Sequence, residues 1–161
     1  NVNSTAIISF FNDFLVSNCR VSNTPLGVFA GYTSAHVKKC IFFNVYMAFR
    51  SPCFPDTCNV LVDSCIIFTH YQNPGIAITY GSPTITNNIL IGDNQALGIY
   101  LDTPNNTARI KNNLISSYRF SNISVSLVED SAFIESNNSS DKIFWIFASG
   151  FISFFAARIF L

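Results

Sequence analysis

Charge is scarce in this chain. Only 11% of residues are Asp, Glu, Lys or Arg, nine of each sign, and the formal net charge is zero. Typical domains carry about 25% charged residues. Phosphate backbones are bound by clustered Lys and Arg, so an electrostatic nucleic-acid partner is excluded. Histidine is nearly absent, with His36 and His70 the only two. Neither has a third partner at a recognisable spacing, so a Ser-His-Asp triad or a metal site is not expected. The five cysteines include no Cys-x-x-Cys, which argues against zinc. No resident cofactor is implied. The chain begins with Asn rather than Met and reads as a mature form or a fragment.

Two residue types are abundant instead: 18 Asn and 17 Phe. Asn tolerates the left-handed backbone of tight turns, and Phe suits strands. Their combination predicts many short strands joined by sharp turns.

A seven-residue pattern recurs six times: Val16–Ser22, Val37–Phe43, Val62–Phe68, Ile85–Ile91, Ile110–Ser116 and Val128–Ile134. Each copy reads aliphatic, two mostly polar residues, then Cys, Asn or Ser, then an apolar stretch. The fourth positions are Cys19, Cys40, Cys65, Asn88, Asn113 and Ser131, spaced by 21, 25, 23, 25 and 18 residues. Repeats of this length with strand-like content mean a solenoid. The second column (Ser17, Lys38, Asp63, Thr86, Lys111, Glu129) is polar throughout and should face water. Two positions past the fourth lie Val21, Phe42, Ile67, Leu90, Ile115 and Phe133, all apolar. This is the period of a strand.

Stacked at about 4.8 Å, successive copies form parallel, in-register sheets. The Cys/Asn/Ser column then falls at a bend, where Asn88 and Asn113 can stack as an amide ladder and Asn can take up the bend itself. Lys38–Asp63 and Lys111–Glu129 become opposite charges on neighbouring coils. A further strand per coil shows as Gly27–Phe29, Gly75–Ile78, Gly98–Leu101 and Ile123–Val125, with Gly serving an abrupt entry turn. Arg50–Cys58 reads as a loop projecting from the third coil, and residues 6–14 as a partial first coil.

The Ile85–Ile91 and Ile110–Ser116 coils, each linked to a Gly-Ile or Asn-Ile strand, resemble the right-handed parallel β-helix repeats of the pectin-lyase-like superfamily. The Val-x-x-Cys coils look like a cysteine version of the same pattern. The resemblance implies an all-β, right-handed parallel β-helix of about six coils. That superfamily spans pectate lyases, polygalacturonases, uronate epimerases, phage tailspikes and non-enzymatic adhesins, so fold does not decide activity.

Candidate sites follow the outward columns. Arg109-Ile-Lys111 resembles a fragment of the polygalacturonase signature, but the companion Asn-x-Asp, Asp-Asp and Gly-His-Gly elements are missing. Alternation alone places Arg109 and Lys111 outward around Ile110. Asp63 lies two coils before Lys111 in one outward column, with Thr86 between. Tyr100 and Asp102 share an outward side and suit sugar binding by stacking and hydrogen bonding. No catalytic residue is assigned.

Cys53 and Cys58 flank a Pro-containing loop and suit a disulfide. Cys19, Cys40 and Cys65 stack either as free thiols or as oxidised neighbours. Glycosylation sequons occur at Asn3, Asn105, Asn122, Asn137 and Asn138.

The expected organisation is a β-helix over 1–136, a polar linker over 137–142 and an apolar segment over 143–161. The last, with Arg158 its one charge, reads as an apolar C-terminal helix, a candidate membrane anchor or cap. A terminal coil continuing the β-helix is the alternative. The functional expectation is a non-catalytic, extracellular or cell-surface β-solenoid that binds polysaccharide or mediates adhesion. The alternative is a fragment of a lyase, hydrolase or epimerase acting on polysaccharide.

Overall fold

A computed structural model of the chain describes residues 5–53, 58–70, 73–93, 97–102, 108–118, 121–127, 133–135, 137–139 and 145–148. Each coil contributes three short strands. The first is β1 (Thr5–Phe10), β2 (Phe14–Ser17) and β3 (Arg20–Ser22); the second is β4 (Leu26–Gly31), β5 (Ala35–Lys38) and β6 (Ile41–Val45). The third is β7 (Met47–Pro52), β8 (Val60–Asp63) and β9 (Ile66–Thr69); the fourth is β10 (Ile76–Thr79), β11 (Thr84–Thr86) and β12 (Ile89–Ile91). The fifth is β13 (Leu97–Asp102), β14 (Arg109–Lys111) and β15 (Leu114–Ser116). The sixth is β16 (Ser121–Leu127), β17 (Phe133–Glu135) and β18 (Asn138–Ser139), and β19 (Trp145–Ala148) adds a seventh rung to one sheet.

Every strand pairs in parallel with its equivalent one coil away. The result is three sheets: β1-β4-β7-β10-β13-β16-β19, β2-β5-β8-β11-β14-β17 and β3-β6-β9-β12-β15-β18. We call these the first, second and third sheets. Such stacking buries apolar columns on the inner side of every sheet. Val28, Phe49, Ile76, Ile99 and Ile123 line the first; Val16, Val37, Val62, Ile85 and Ile110 the second; Val21, Phe42, Ile67, Leu90 and Ile115 the third. All are buried, and each large side chain contributes about 1.5–3 kcal/mol by leaving water.

The bend between the second and third sheets shows how the repeat works. Its third column, Asn18, Lys39, Ser64, Asn87 and Asn112, adopts φ of 54°, 52°, 55°, 58° and 56°. The left-handed turn therefore lies one residue before the Cys/Asn column, not in it. The turn rotates the fourth residue inward, leaving Cys40, Cys65, Asn88 and Asn113 each 1% exposed. There the amides form a ladder. Asn88 Oδ1 accepts from the Cys65 N–H (2.9 Å), and Asn113 Oδ1 from the Asn88 N–H (3.0 Å). Asn137 Oδ1 accepts from the Asn113 N–H (3.0 Å). The amide nitrogens donate back to Val62, Ile85 and Ile110 carbonyls. Cys40 and Cys65 aim their thiols at the matching Val16 and Val37 carbonyls. Thiol and amide thus serve one carbonyl column.

Asn137 also corrects the sixth copy. Ile134 pairs with Ile110 and Glu135 with Lys111, so the copy starts at Ile134 and its fourth residue is Asn137, 24 residues after Asn113. Phe133 pairs with Arg109 in the second sheet rather than joining the third-sheet column. Val128, Glu129 and Ser131 lie outside the described residues. The solenoid accordingly runs through 137–139, where a linker was expected. Residues 145–148 are a strand on the first sheet, where an apolar helix was expected to open. Residues 149–161 lie outside the described residues, and with them the rest of the expected helix.

Two further readings shift. Arg50, Ser51 and Pro52 belong to β7, not to a loop, because Ser51 points inward in register with Ile78. Gly98 serves close approach, not a special backbone angle: a Cβ there would run into the Asn122 carbonyl and the Ile115 side chain.

Candidate functional site: an aromatic cleft on the third sheet

Alternation sends every second residue of each strand outward. The outward columns of the second sheet are mixed and polar. Ser17, Lys38, Asp63, Thr86 and Lys111 form one; Leu15, His36, Leu61, Thr84 and Arg109 form the other. The third sheet differs. Its outward columns are Arg20, Ile41, Ile66, Ile89 and Leu114, and beside them Ser22, Phe43, Phe68, Ile91 and Ser116. Phe43 is 47% and Leu114 42% exposed. Between Arg20 and Ser22 on the first coil and Ser116 on the fifth, this face is an apolar ladder open to solvent.

This ladder ends in a cleft of about 260 Å³ at the margin of the sheet. The register of β6 against β9 shifts between Phe43 and Val45, and the intervening Asn44 has φ 54°. The bulge re-aims the strand end. The Phe43 and Phe68 rings meet edge to face, centroids 5.8 Å apart. Asn44 Nδ2 donates to Asn23 Oδ1 at 2.7 Å, holding the amide at the rim. Past β9, the His70 N–H donates to the Val45 carbonyl (2.8 Å), and the imidazole Nδ1 contacts Asp93 Oδ2 closely. Both side chains remain accessible, at 49% and 29%.

The floor is rigid. Thr69 and Tyr118 share a buried hydrogen bond of 3.0 Å. Burial, more than any other influence, pushes the Tyr118 phenol well above its ordinary value. Tyr118 fits only because residue 92 is glycine; a Cβ there would sit 2.8 Å from the ring. The cleft thus offers the Phe43 and Phe68 rings, Ile91, an amide and a carboxylate–imidazole pair. That set can hold a ring having one apolar face and a polar edge.

The site residues expected from sequence fall elsewhere and on two faces. Tyr100 and Asp102 lie together on the outer side of β13 in the first sheet. Burial, and then the Asp102 charge, raises the Tyr100 phenol. Asp63 and Lys111 share a second-sheet column with Thr86 between them, and Arg109 lies in the neighbouring column. Asp63 is a bonding hub. It accepts from Thr86 Oγ1 (2.8 Å), Asn87 Nδ2 (2.8 Å) and Ser64 Oγ (3.1 Å). Burial is the largest single influence on its carboxyl and opposes ionisation. The three hydrogen bonds and Lys38 together outweigh it and hold the carboxyl below its ordinary value.

Cys53 and Cys58 are joined in a disulfide, Cα atoms 5.8 Å apart. Cys19, Cys40 and Cys65 are free thiols. Among the described residues, no three His, Cys, Asp or Glu side chains gather as a metal set. Two of the sequons are spent on structure: Asn122 is 1% exposed, and the Asn137 amide is a rung of the ladder.

The His70–Asp93 pair escaped the sequence reading, although a signal was present. The two residues are 23 apart, the same step as Cys65 to Asn88, so they occupy equivalent places on adjacent coils.

No curated protein and no solved structure matches this chain. A family model described as a right handed beta helix region matches residues 4–150. With three parallel sheets wound in one repeating path, and that match over most of its length, the chain belongs to the right-handed β-helix family.

Proposed function

We propose that the protein is a non-catalytic β-solenoid that binds glycans at an extracellular or cell surface, through the third-sheet cleft. The observation that carries this reading is the meeting, over three coils, of the Phe43 and Phe68 rings with Asn44 and the His70–Asp93 pair. Aromatic faces take the C–H side of a sugar ring, and carboxylates and amides take its hydroxyls. The Cys53–Cys58 disulfide supports an oxidising compartment. The Tyr100/Asp102 pair on the first sheet is proposed as a secondary contact. Asp63 has its carboxylate filled by three donors, which suits fixing register better than shuttling protons. Arg109 and Lys111 flank buried Ile110 as exposed side chains.

The test is a glycan array probed with the full chain, paired with an assay for new reducing ends and unsaturated products from polysaccharide. Retention on at least one glycan class without turnover is expected. Depolymerisation or epimerisation would replace the reading with that of a carbohydrate-active enzyme.

A further inference from the structure

We infer that the exposed Cys19 thiol is an oxidation site whose product is a disulfide to Cys40, stapling the first coil to the second. The site lies at the bend between the second and third sheets and is independent of the cleft. Cys19, Cys40 and Cys65 hold the same place on three successive coils. The backbone there is bonded rung to rung: the Ile41 N–H donates to the Cys19 carbonyl and the Ile66 N–H to the Cys40 carbonyl, each at 2.9 Å. Neighbouring rungs lie about 4.8 Å apart, inside the Cα range of disulfides, about 4.4–6.8 Å. The three thiols also turn the same way. Each Sγ meets the carbonyl two residues back: Ser17 at 3.2 Å, Lys38 at 3.2 Å and Asp63 at 3.4 Å. The Cys40 sulfur is hydrogen-bonded to the Cys19 backbone and to the Cys65 thiol.

Accessibility chooses the pair. Cys19 is exposed, whereas Cys40 and Cys65 are each 1% exposed, so an oxidant meets Cys19 first. Burial, the largest influence on the Cys40 thiol, raises it and makes it a poor first target. The position of the coil favours the same pair. Parallel side chains one rung apart must draw in to reach the Cβ separation of a disulfide, about 3.5–4.5 Å. Among the described residues, β2 and β3 end their sheets and are paired on one side, while the strands flanking Cys65 are paired on both. The end coil therefore yields more readily. With a hydroperoxide as oxidant the chemistry balances. The Cys19 sulfur attacks a peroxide oxygen; an S–O bond forms, the O–O bond breaks and water leaves, giving a sulfenic acid. The Cys40 sulfur then attacks the Cys19 sulfur; the S–S bond forms, the S–O bond breaks, and a second water carries off the Cys40 proton. The two thiols lose two electrons, and hydrogen peroxide is reduced to water. The new bond links the end coil covalently to its neighbour and narrows the unfolded ensemble.

The experiment treats the full chain, with Cys53–Cys58 intact and the other thiols free, with equimolar hydrogen peroxide. Remaining thiols are blocked with maleimide in denaturant, and the chain is cut with trypsin without reductant. Arg20 follows Cys19, Lys39 precedes Cys40, and no Lys or Arg lies between Arg50 and Arg109, so the three thiols fall in separate peptides: 1–20, 40–50 and 51–109. The expected product is 1–20 joined to 40–50, with Cys65 blocked by maleimide and a raised thermal midpoint. Dimedone, which traps sulfenic acid, should label Cys19 about tenfold more in Cys40→Ser than in the unaltered protein, while Cys65→Ser keeps the link. Circular dichroism checks that both variants are folded, and Cys40→Ala replaces a Cys40→Ser that is not. Joining of 40–50 to 51–109, a disulfide between two copies through Cys19, or oxidised Cys19 beside an unreacted Cys40 overturns the inference. A link that leaves the thermal midpoint unchanged overturns the staple.

Discussion

Replacing Asn113 with alanine should be among the most damaging single changes in the molecule, and its cost can be worked from the ladder. Asn113 is 1% exposed. Its Oδ1 accepts from the Asn88 N–H (3.0 Å) and Nδ2 (2.9 Å), and its Nδ2 donates to Ile85 O (3.0 Å) and Asn137 Oδ1 (2.9 Å). Alanine strands the Asn88 N–H and the Ile85 carbonyl away from water. A buried polar group left unpaired costs about 1–3 kcal/mol. Two such groups, plus the weakened side-chain contacts, give a loss of about 3–5 kcal/mol, a large share of the roughly 5–15 kcal/mol typical of a domain. Urea unfolding followed by circular dichroism measures it. The neighbouring Asn112→Gly is the control. It keeps the left-handed turn and gives up only an exposed 3.4 Å contact to Asn87, so its effect should stay within about 0.5 kcal/mol. A loss below about 1 kcal/mol for Asn113→Ala, comparable with the control, would refute the reasoning, because the amide column would then not be holding the coils.

Three further outcomes are expected. Cys65→Asn should stabilise the protein by about 1 kcal/mol, because the new amide would donate to the Val37 carbonyl that the thiol now meets at 3.7 Å and accept the Cys40 N–H; a clear loss in urea midpoint would show that the thiol column cannot take an amide. Under native conditions a maleimide should label exposed Cys19 alone, since burial pushes the Cys65 thiol up to about 12 and raises that of Cys40 as well; native labelling of either buried thiol by mass spectrometry would contradict this. The Asp63 carboxyl is lowered in the folded state, so the stability it lends is complete above the ordinary Asp value near 3.8 and is lost as pH falls through the lower folded value. Asp63→Asn should flatten the acid limb of stability against pH, and an unchanged acid limb would remove Asp63 as a register hub.

Much of the fold was legible because a solenoid repeats its constraints. Val37, Val62, Ile85 and Ile110 recur at coil spacing and do stack, rung over rung, in the second sheet. The sixth rung was misread because Val128–Ser131 has the same apolar and polar spacing as Ile134–Asn137. The pairing of Ile134 with Ile110 separates them, and with it the Asn137 amide, which accepts one N–H and donates to one carbonyl. The left-handed turn was placed on the Asn88 column when Asn87 carries it; two adjacent asparagines look alike until one is seen to be buried. The cleft was less legible. Ile41, Phe43, Ile66 and Phe68 lie beside the inward column, and an unbroken apolar run hides which members face solvent. His70 and Asp93 meet only once the chain is wound.

The most direct test of the account is a backbone amide NMR titration of the isotope-labelled chain with an oligosaccharide retained on the glycan array. The account predicts that shifts concentrate at Phe43, Asn44, Phe68, His70, Ile91 and Asp93. Shifts concentrated instead at Tyr100 and Asp102, or along Asp63, Arg109 and Lys111, would put the ligand on another sheet and contradict it.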